Sequence, residues 1–377
     1  MTRLLAIATA FVVPENRVVF KALADDFGFD VTLVSPNTWI QHRYGSEQRF
    51  TVEPEVRPGY RLVPLRFTAG RFDRYHSLMP ELVRARPRIV VCAQEFNSFA
   101  AVHSLILARV AACNPLTVSC SLQNIPYAPS RFRHRLREWA GLMMSDVILA
   151  SCNDAAALLK SRGYRGRTEI LYPLGAASVS PPPPGEPRTR GAPFTVGFVG
   201  RIAAEKGVFT LAEACAQLGG DVRLLLVGDG PDRSQLENRL AQLGIAGRTT
   251  FVGLVSRDKV PEYYARMDAL AMPSLSTPTW KEQFGVVLAE AMLMGLPIVG
   301  STSGAIPEVI GDAGLLFPEG DAKALAEKLR TLKDDPDNWR NLSVRARARA
   351  ETYFTPRAMA TQLVNLFADL GAIGEKV

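Results

Sequence analysis

Residues 194–214, FTVGFVGRIAAEKGVFTLAEA, decide the fold of this chain. An apolar run ends at Gly200, a short polar loop follows, and a helix-length segment begins after Gly207, which together predict a strand, a loop and a helix. Arg201 and Lys206 stand in the loop at the helix N-terminus, where free amides and the helix dipole favour an anion. A pyrophosphate group suits this pattern, and a pair of solvated surface cations is the simpler alternative.

The same rhythm runs along the whole chain. Strand-like runs in the first half are LLAIATA, DVTLVS, RLVPLRF, RIVVCA, LTVSCS, DVILAS and TEILYPL, and those in the second half are FTVGFVG, VRLLLVG, TTFVGL, ALAMPS and LPIVGS. Alternation of such runs with helices is typical of doubly wound parallel sheets. We therefore predict an α/β protein with two Rossmann-like domains that face each other across a cleft.

A proline run marks the boundary between the two domains. Residues 181–192, PPPPGEPRTRGA, combine proline, glycine and charge, which is the composition of a stiff exposed linker. We predict an N-terminal domain over residues 1–180 and a C-terminal domain over 193–355. The last segment, about 356–377, is predicted to form an amphipathic helix that packs back on the N-terminal domain.

Length and composition point to an ordinary globular protein. The chain has 377 residues, of which 47% are hydrophobic, and no apolar run reaches the roughly 18 residues that span a bilayer. LLAIATAFVV after Arg3 resembles the core of a signal peptide, but helix and strand patterns follow it directly, so we favour a buried first strand. The five cysteines form no CxxC pair, which favours a reducing, cytoplasmic location and argues against zinc.

Positive charge is concentrated in the first half. Residues 1–190 hold 24 basic and 15 acidic residues, a net charge of +9, whereas residues 191–377 have a net charge of −2. Such asymmetry indicates an anionic partner, such as a membrane surface, a phosphate-bearing lipid or an anionic glycan, although a solvated basic surface is an equal alternative. No nucleic-acid-binding motif is present. Residues 130–144, SRFRHRLREWAGLMM, form a basic amphipathic helix that either lies on the inner face of a membrane as a peripheral contact or packs its apolar face on the sheet.

Two glutamates stand out in residues 281–299, KEQFGVVLAEAMLMGLPIV. The segment from Gly285 to Met294 is apolar on every side except at Glu290, and a helix that is apolar all round is normally buried. A buried carboxylate without a partner costs several kcal/mol, so we expect Glu290 to hold a ligand with hydroxyl groups. Glu282 precedes the helix, near its free amides. A satisfied core glutamate and an exposed loop glutamate are the alternative.

Two further strands of the second half end in glycine. VRLLLVGDGP ends at Gly228 and Gly230, where a ligand could approach the backbone closely, although an ordinary turn would look the same. TTFVGL ends at Val252 and Gly253, whose backbone groups could face a nucleobase.

Together these motifs resemble those of a known family. GR-x4-KG, VGDGP, P-S followed by E-x7-E, and MxxGLPIVGSxSGAIPEVIGDAGLLF are similar to the motifs of the retaining GT-B glycosyltransferases of family 4. The resemblance is strong over about residues 195–330 and weaker over 1–190. It implies transfer of a hexose from a UDP- or GDP-linked sugar, held by the C-terminal domain, to a glycan, glycolipid or lipid-linked acceptor on the N-terminal domain, in polysaccharide or glycolipid biosynthesis.

The resemblance also implies roles for single residues. Arg201 and Lys206 would clamp the pyrophosphate, Glu290 would bind the ribose and Glu282 would hold the hexose. Phe284, Gly285 and Val286 would meet sugar and phosphate through their backbone. Catalysis would rest on Glu282, Arg201 and Lys206.

The N-terminal domain departs from the family pattern. A glycine pair is often found after the first strand, where this chain has Val13-Pro14-Glu15-Asn16, and a histidine often follows the fifth strand, where it has Gln123 and Asn124. Neither Gln123 nor Asn124 can act as a general base. We therefore expect the acceptor near Asn16, Glu95, Gln123 and Asn124, with Glu95 the nearest carboxylate.

No cofactor is expected. A DxD metal motif is missing near the predicted cleft, and Asp334-Asp335-Pro336-Asp337 is interpreted as a turn, so we predict no metal ligands and no obligatory divalent cation. Two other functions remain open: a hydrolysing nucleotide-sugar epimerase on the same fold, and a non-catalytic protein that binds a sugar nucleotide.

Overall fold

The computed structural model describes residues 1–43, 46–70, 72–111, 114–126, 132–172, 177, 179 and 193–374, with the backbone alone for 41–43 and 46–48. The chain divides into two compact units: unit 1 comprises Met1–Ala176 and Pro356–Val377, and unit 2 comprises Ala177–Thr355. The predicted linker over 181–192 lies outside the described residues. None of the described helices is long and apolar enough to cross a lipid bilayer.

Unit 1 is an α/β unit around one large sheet. Its strands and helices are β1 (Arg3–Ile7), α1 (Val18–Phe27), β2 (Asp30–Pro36), β3 (Thr38–Arg43), β4 (Ser46–Thr51), β5 (Glu55–Arg57), β6 (Tyr60–Leu65), β7 (Phe67–Thr68), β8 (Arg74–Tyr75), α2 (Leu78–Ala85), β9 (Ile89–Glu95), α3 (Phe99–Ala111), β10 (Leu116–Ser121), α4 (Phe132–Met144), β11 (Val147–Ala150), α5 (Asn153–Ser161) and β12 (Arg167–Ile170).

The strand order of that sheet is β12-β11-β10-β9-β1-β2-β6-β5. All neighbours pair in parallel except the edge strand β5, which is antiparallel to β6. The run after Arg3 forms the central strand β1, whose residues from Leu4 to Ile7 are fully buried, so the strand interpretation of this run is confirmed. Two antiparallel pairs, β3 with β4 and β7 with β8, were not predicted.

Unit 2 has the more regular sheet. Its elements are β13 (Phe194–Val199), α6 (Val208–Ala216), β14 (Val222–Val227), α7 (Arg233–Gln242), β15 (Thr249–Gly253), α8 (Val260–Tyr264), β16 (Ala269–Met272), α9 (Val286–Leu293), β17 (Ile298–Ser301), α10 (Ile306–Ile310), β18 (Leu315–Phe317), α11 (Ala322–Asp334) and α12 (Pro336–Tyr353). The strand order is β15-β14-β13-β16-β17-β18, with parallel pairing throughout. In unit 2, each strand-like run predicted from the sequence contains a strand, and only the three-residue strand β18 was not predicted.

The last helix, α13 (Pro356–Asp369), returns to unit 1. Its buried face includes Leu363 and Phe367. The ring of Phe367 lies 6.3 Å from the ring of Phe29, which follows the end of α1, so this pair joins α13 to unit 1. Arg88 donates a hydrogen bond of 3.1 Å to the carbonyl of Gly371 just beyond the helix. Burial of an amphipathic face, rather than helix propensity, therefore fixes this segment on unit 1.

Candidate active site

The topology of each sheet singles out one position for a ligand. In doubly wound sheets, ligands bind outside the carboxyl ends of the strands where the strand order reverses. In unit 2 the chain moves from β13 outward to β14 and β15, then returns to place β16 on the other side of β13. The reversal point therefore lies between β13 and β16. The loops that follow these two strands carry Arg201, Lys206 and Glu282.

Lys206 and Glu282 form the centre of this site. Lys206 Nζ lies 2.8 Å from Glu282 Oε2, and both side chains are largely buried. Ser274 Oγ, directly after β16, donates to the same oxygen at 3.3 Å. The ammonium group also stands 4.4 Å from the ring centroid of Trp280, in a cation–π contact. One positive and one negative group are thus held side by side at the end of the sheet.

Arg201 is the more exposed of the two cations of the predicted clamp. Its guanidinium pairs with Glu205 in the same loop, and 39% of its side chain is exposed. The amide of Lys206 donates to Ala203 at 2.9 Å, closing a short 3₁₀ turn before α6. Arg201 can therefore exchange an exposed intraloop ion pair for an anionic ligand at small cost.

Glu290 is almost fully buried in α9, yet it has protein partners. Arg257 donates to its Oε1 from Nε at 3.0 Å and from Nη2 at 2.7 Å. The Tyr264 hydroxyl donates to Oε2 at 3.2 Å. Burial, and next the adjacent Glu290 carboxylate, hold the pKa of Tyr264 well above its usual value, so the phenol keeps its proton. Arg257 and Tyr264 are thus the partners of this buried carboxylate. We had expected a bound ligand in that role, but with these partners the burial of Glu290 does not by itself require a ligand.

The helix that carries Glu290 starts where the apolar segment of the sequence starts. Gly285 is the N-cap of α9 with φ of 77°, and Val286 is the first helical residue, so the amides of Val286 and Val287 have no intrahelical acceptor. The next amide, that of Leu288, donates to the Gly285 carbonyl at 2.8 Å. Phe284 is buried and packs edge-to-face on Phe354, with 5.7 Å between the ring centroids. Its side chain is a structural anchor, and only its backbone is available to a ligand.

The glycines after β14 leave room for the close approach of another backbone segment. A Cβ on Gly228 would lie 2.0 Å from the Gly200 carbonyl oxygen, and one on Gly230 would lie 2.2 Å from that of Ile202. We had expected a ligand to approach these glycines closely, but the loop after β13 occupies that place. Gly228 also donates to the carbonyl of Gly253 at 2.9 Å. These residues support the loop that bears Arg201, and Val252 lies beside them at the end of β15.

Unit 1 places its predicted residues around its own reversal point, between β1 and β9. Glu95 is the last residue of β9 and accepts from the Leu122 amide at 2.6 Å. Burial raises the pKa of Glu95 to about 7, and the hydrogen bond from Leu122 limits the rise. Gln123 Oε1 is buried and has no hydrogen-bond partner among the described residues. Asn124 is buried, and Asn16 donates to the Ala10 carbonyl at 2.7 Å, so Asn16 braces its own loop.

Potential metal ligands are not grouped in the described part of the chain, where no set of three or more His, Cys, Asp or Glu side chains could hold an ion. The segment from Asp334 to Asp337 joins α11 to α12. Asp335 caps α12 by accepting from the Asn338 amide at 3.0 Å. Its carboxylate therefore has a structural role. The predicted turn is reduced to this one residue, because Asp334 ends α11 and Pro336 begins α12.

Sequence reasoning missed four residues of this site: Ser274, Trp280, Arg257 and Tyr264. Trp280 and Ser274 lie two and eight residues before Glu282, and an aromatic residue beside a candidate cation site was a usable signal. Arg257 and Tyr264 are 33 and 26 residues away from Glu290 along the chain. Only the requirement that a buried carboxylate be paired could have indicated that such residues exist.

Comparison with known proteins agrees with this geometry. Residues 185–350 match the family model of the glycosyl transferases group 1. This match covers the Lys206–Glu282 pair, Glu290 and Arg257.

Two curated relatives illustrate what the chain is similar to. The 2-deoxystreptamine glucosyltransferase of Streptomyces kanamyceticus is 30% identical over 253 residues, which are 58% of this chain and 64% of the relative. The amylovoran biosynthesis glycosyltransferase AmsK of Erwinia amylovora is 32% identical over 184 residues, which are 47% of this chain and 45% of the relative. The chain thus matches less than two thirds of the length of these relatives.

A solved structure resembles the chain over both units. The Anabaena protein HepE, crystallised in complex with UDP, superposes with a TM-score of 0.68 at 18% sequence identity, covering 98% of this chain and 100% of HepE. At this identity the likeness concerns the fold. The predicted α/β class with two Rossmann-like domains, the GT-B fold, is confirmed.

Proposed function

We propose that this protein is a retaining glycosyltransferase that moves a hexose from a UDP- or GDP-linked sugar to an acceptor hydroxyl. One observation carries the proposal: the end of the unit 2 sheet holds a buried lysine–glutamate pair, Lys206 with Glu282, and the helix that follows Glu282 in the chain, α9, carries a second oriented carboxylate, Glu290. A nucleotide sugar presents a diphosphate, a hexose and a ribose, and these residues offer a cation and hydroxyl acceptors for such groups. The group 1 relatives named above are themselves glycosyltransferases, and HepE binds UDP.

Each group has a role in binding the donor. Lys206 and Arg201 would neutralise the diphosphate, and the free amides at the start of α9 would add donors to it. Glu282 would accept hydrogen bonds from hexose hydroxyls. Glu290 would accept from a ribose hydroxyl, because Arg257 and Tyr264 already fix the carboxylate in one orientation.

The chemistry needs little more than charge and position. The bond between the anomeric carbon and the diphosphate oxygen breaks, and its electron pair leaves with the nucleoside diphosphate. The acceptor oxygen bonds to the same face of the anomeric carbon, and its proton passes to the departing phosphate oxygen. Lys206 and Arg201 would stabilise the charge that develops there, which in comparable sites contributes about 2.7–4 kcal/mol for each group. This arrangement supports a transferase without an obligatory metal ion.

The acceptor is proposed to bind unit 1 at the ends of β1, β9 and β10. Glu95, with a pKa of about 7, can accept or donate a hydrogen bond at neutral pH, and the unpaired Gln123 Oε1 offers a second acceptor atom. Because residues 1–190 have a net charge of +9, we propose an anionic or lipid-linked glycan acceptor over a neutral one.

Donor binding provides the first test. The protein is heated with UDP-, GDP-, ADP- and dTDP-hexoses in turn, and a donor at 100 times its Kd should stabilise the fold by roughly 2.7 kcal/mol. The stabilising donor is then incubated with lipid-linked glycans, and NMR of the product should show the anomeric configuration of the donor. Free epimerised sugar without any transfer would instead identify a hydrolysing epimerase. Binding without turnover for every acceptor would identify a non-catalytic sensor.

A further inference from the structure

Helix α4, Phe132–Met144, exposes its largest apolar side chains. Phe132 is 79% exposed, Leu136 52%, Trp139 59% and Met143 61%. Single exposed apolar residues are common on protein surfaces, but four large ones on one helix of 13 residues are not. We call these four residues the α4 stripe.

The α4 stripe runs straight along the helix. At about 100° per residue, positions 132, 136, 139 and 143 fall within an arc of roughly 60° and extend over roughly 16 Å. Arg133 and Arg135 project to opposite sides of this arc, and both are exposed. Neither arginine has an ion-pair partner within the described part of the chain. The outward side of α4 is therefore an apolar strip with a cation on each flank.

The inward side of the helix explains this orientation. Gly141 packs so closely on unit 1 that a Cβ there would lie 2.3 Å from the Phe96 carbonyl oxygen. Glu138, the one acidic residue of α4, is buried and paired with Arg162. Gly141 and the Glu138–Arg162 ion pair thus lie on the inward side of α4, together with Met144, which packs on buried residues of β9 and α3. The four side chains of the α4 stripe are left outside. The ordinary arrangement, with the apolar face of α4 on the sheet, is not what this helix adopts.

We propose that the α4 stripe docks on a lipid bilayer that carries anionic headgroups. Phenylalanine, leucine and tryptophan are the side chains that enter the interface between headgroups and acyl chains, and flanking arginines pair with anionic lipids. Charge complementarity selects this occupant, since no carboxylate faces outward along α4 and the first half of the chain has a net charge of +9. A second copy of the chain would bring Arg133 and Arg135 close to their own counterparts, which opposes a symmetric contact.

This inference goes beyond the proposed function and can fail separately. The α4 stripe belongs to unit 1, whereas Lys206, Glu282 and Glu290 belong to unit 2. Vesicle binding is measured without any sugar nucleotide, so its absence would leave transfer to a water-soluble acceptor unaffected. Conversely, a protein that transfers no sugar could still bind vesicles.

The experiment is flotation of the full chain with vesicles of phosphatidylcholine alone or with 30 mol% phosphatidylglycerol, roughly a physiological anionic content. One variant combines Phe132→Gln with Trp139→Gln, and a second combines Arg133→Gln with Arg135→Gln. Matched controls on unit 2 are Leu254→Gln with Val344→Gln, which are 63% and 64% exposed, and Arg223→Gln, an exposed arginine of β14. All positions are exposed, so melting temperatures should stay close to that of the parent protein, and any variant that melts early is replaced by its single substitutions.

Wild type and both controls should float with the anionic vesicles at 0.1 M salt, and binding should collapse at 1 M, where the Debye length falls from about 10 Å to 3 Å. Loss of the two flanking arginines should weaken binding roughly thirtyfold, and loss of Phe132 and Trp139 by at least about tenfold. Equal binding to neutral vesicles would overturn the proposal. So would a dimer in sedimentation velocity that Trp139→Gln dissociates, with no flotation. Arg131 lies outside the described residues and is left unchanged.

Discussion

Arg257 directs two of its N–H groups at a single oxygen of Glu290, with Nε at 3.0 Å and Nη2 at 2.7 Å from Oε1. Tyr264 takes one position on Oε2. An ionised carboxylate offers about four acceptor positions, so the described residues leave one position on Oε2. The pairing therefore orients Glu290 without saturating it, and the remaining position is suited to one ligand hydroxyl.

Replacing Arg257 should weaken nucleotide binding. We expect Arg257→Ala to raise the Kd of the free nucleotide about tenfold to a hundredfold, because hydrogen bonds to a charged group contribute about 1.5–3 kcal/mol and hold Glu290 in place. Isothermal titration calorimetry measures the change, and Arg266→Ala, an arginine beside the Tyr263 ring, is the matched control. An unchanged Kd in Arg257→Ala would show that Glu290 does not contact the nucleotide.

Lys206 and Arg201 should matter mainly for turnover. Each substitution by alanine should lower the rate of transfer by about 10²–10³, since each removes one cation from the departing diphosphate. Lys206→Ala should also lower the melting temperature, because it removes the cation that is ion-paired with the buried Glu282, while Arg201→Ala should not. Arg223→Ala is the control for loss of a surface arginine. Wild-type turnover in both variants with every donor would contradict the assignment of Lys206 and Arg201 to the diphosphate.

The two glutamates should separate into different functions. Glu290→Gln should weaken the binding of free nucleotide, whereas Glu282→Gln should bind the nucleotide nearly normally and lose transfer and selectivity for the sugar. Calorimetry with the free nucleotide and with the intact donor distinguishes the two. A similar loss of free-nucleotide affinity in both variants would contradict this division.

Transfer should continue in excess EDTA. The proposed stabilisation of the diphosphate comes from Lys206, Arg201 and helix amides, which a chelator does not remove. The rate is measured before and after chelation and again with added magnesium or manganese. An activity that EDTA abolishes and either ion restores would show that a metal is needed.

Glu95 should make stability depend on pH. Burial raises its folded pKa to about 7 from the ordinary glutamate value of 4.5, so the folded state binds the proton more tightly than the unfolded state. The stabilisation is complete below about pH 4.5 and is lost as the pH rises towards 7, with an upper limit of roughly 3 kcal/mol. Denaturant unfolding at pH 5 and pH 8 should show a smaller difference for Glu95→Gln than for wild type. Glu53→Gln, at an exposed position, should behave as wild type, and an identical pH dependence in all three proteins would argue against the raised pKa.

The strands and helices of unit 2 were predictable because their signals are local. An apolar run such as Phe194–Val199 followed by a glycine and a helical pattern needs no distant residue to be interpreted. The end of α9 is equally local: Gly295 and Leu296 donate to Met292 and Ala291, each at 2.9 Å, in a Schellman arrangement. The short strands β3 and β4 were missed because they are stabilised by pairing with each other across a hairpin. They lack the strong sequence periodicity by which a strand is predicted.

The site was predictable only in part, because its pairings are not local. The sequence drew attention to Lys206 and Glu282, but their separation of 76 positions along the chain hid their direct contact. Gly228 and Gly230 looked like ligand-facing glycines, and only the packing of the Gly200–Ile202 backbone shows what they accommodate. Likewise, the composition of α4 suggested its amphipathic character, whereas the side it turns to the protein follows from Gly141 and Glu138.

The return of α13 to unit 1 sets an order of events during synthesis. Unit 2 is one continuous stretch, Ala177–Thr355, and can fold as soon as it leaves the ribosome, while unit 1 waits for residues that are made after unit 2. At about 5–20 residues per second, the first segment of unit 1 remains incomplete for roughly 10 to 40 s. During that interval the surface around Phe29 that α13 covers stays open to chaperones. A nonsense mutation near residue 355 should therefore spare the unit that was finished earlier and damage the one that was begun first.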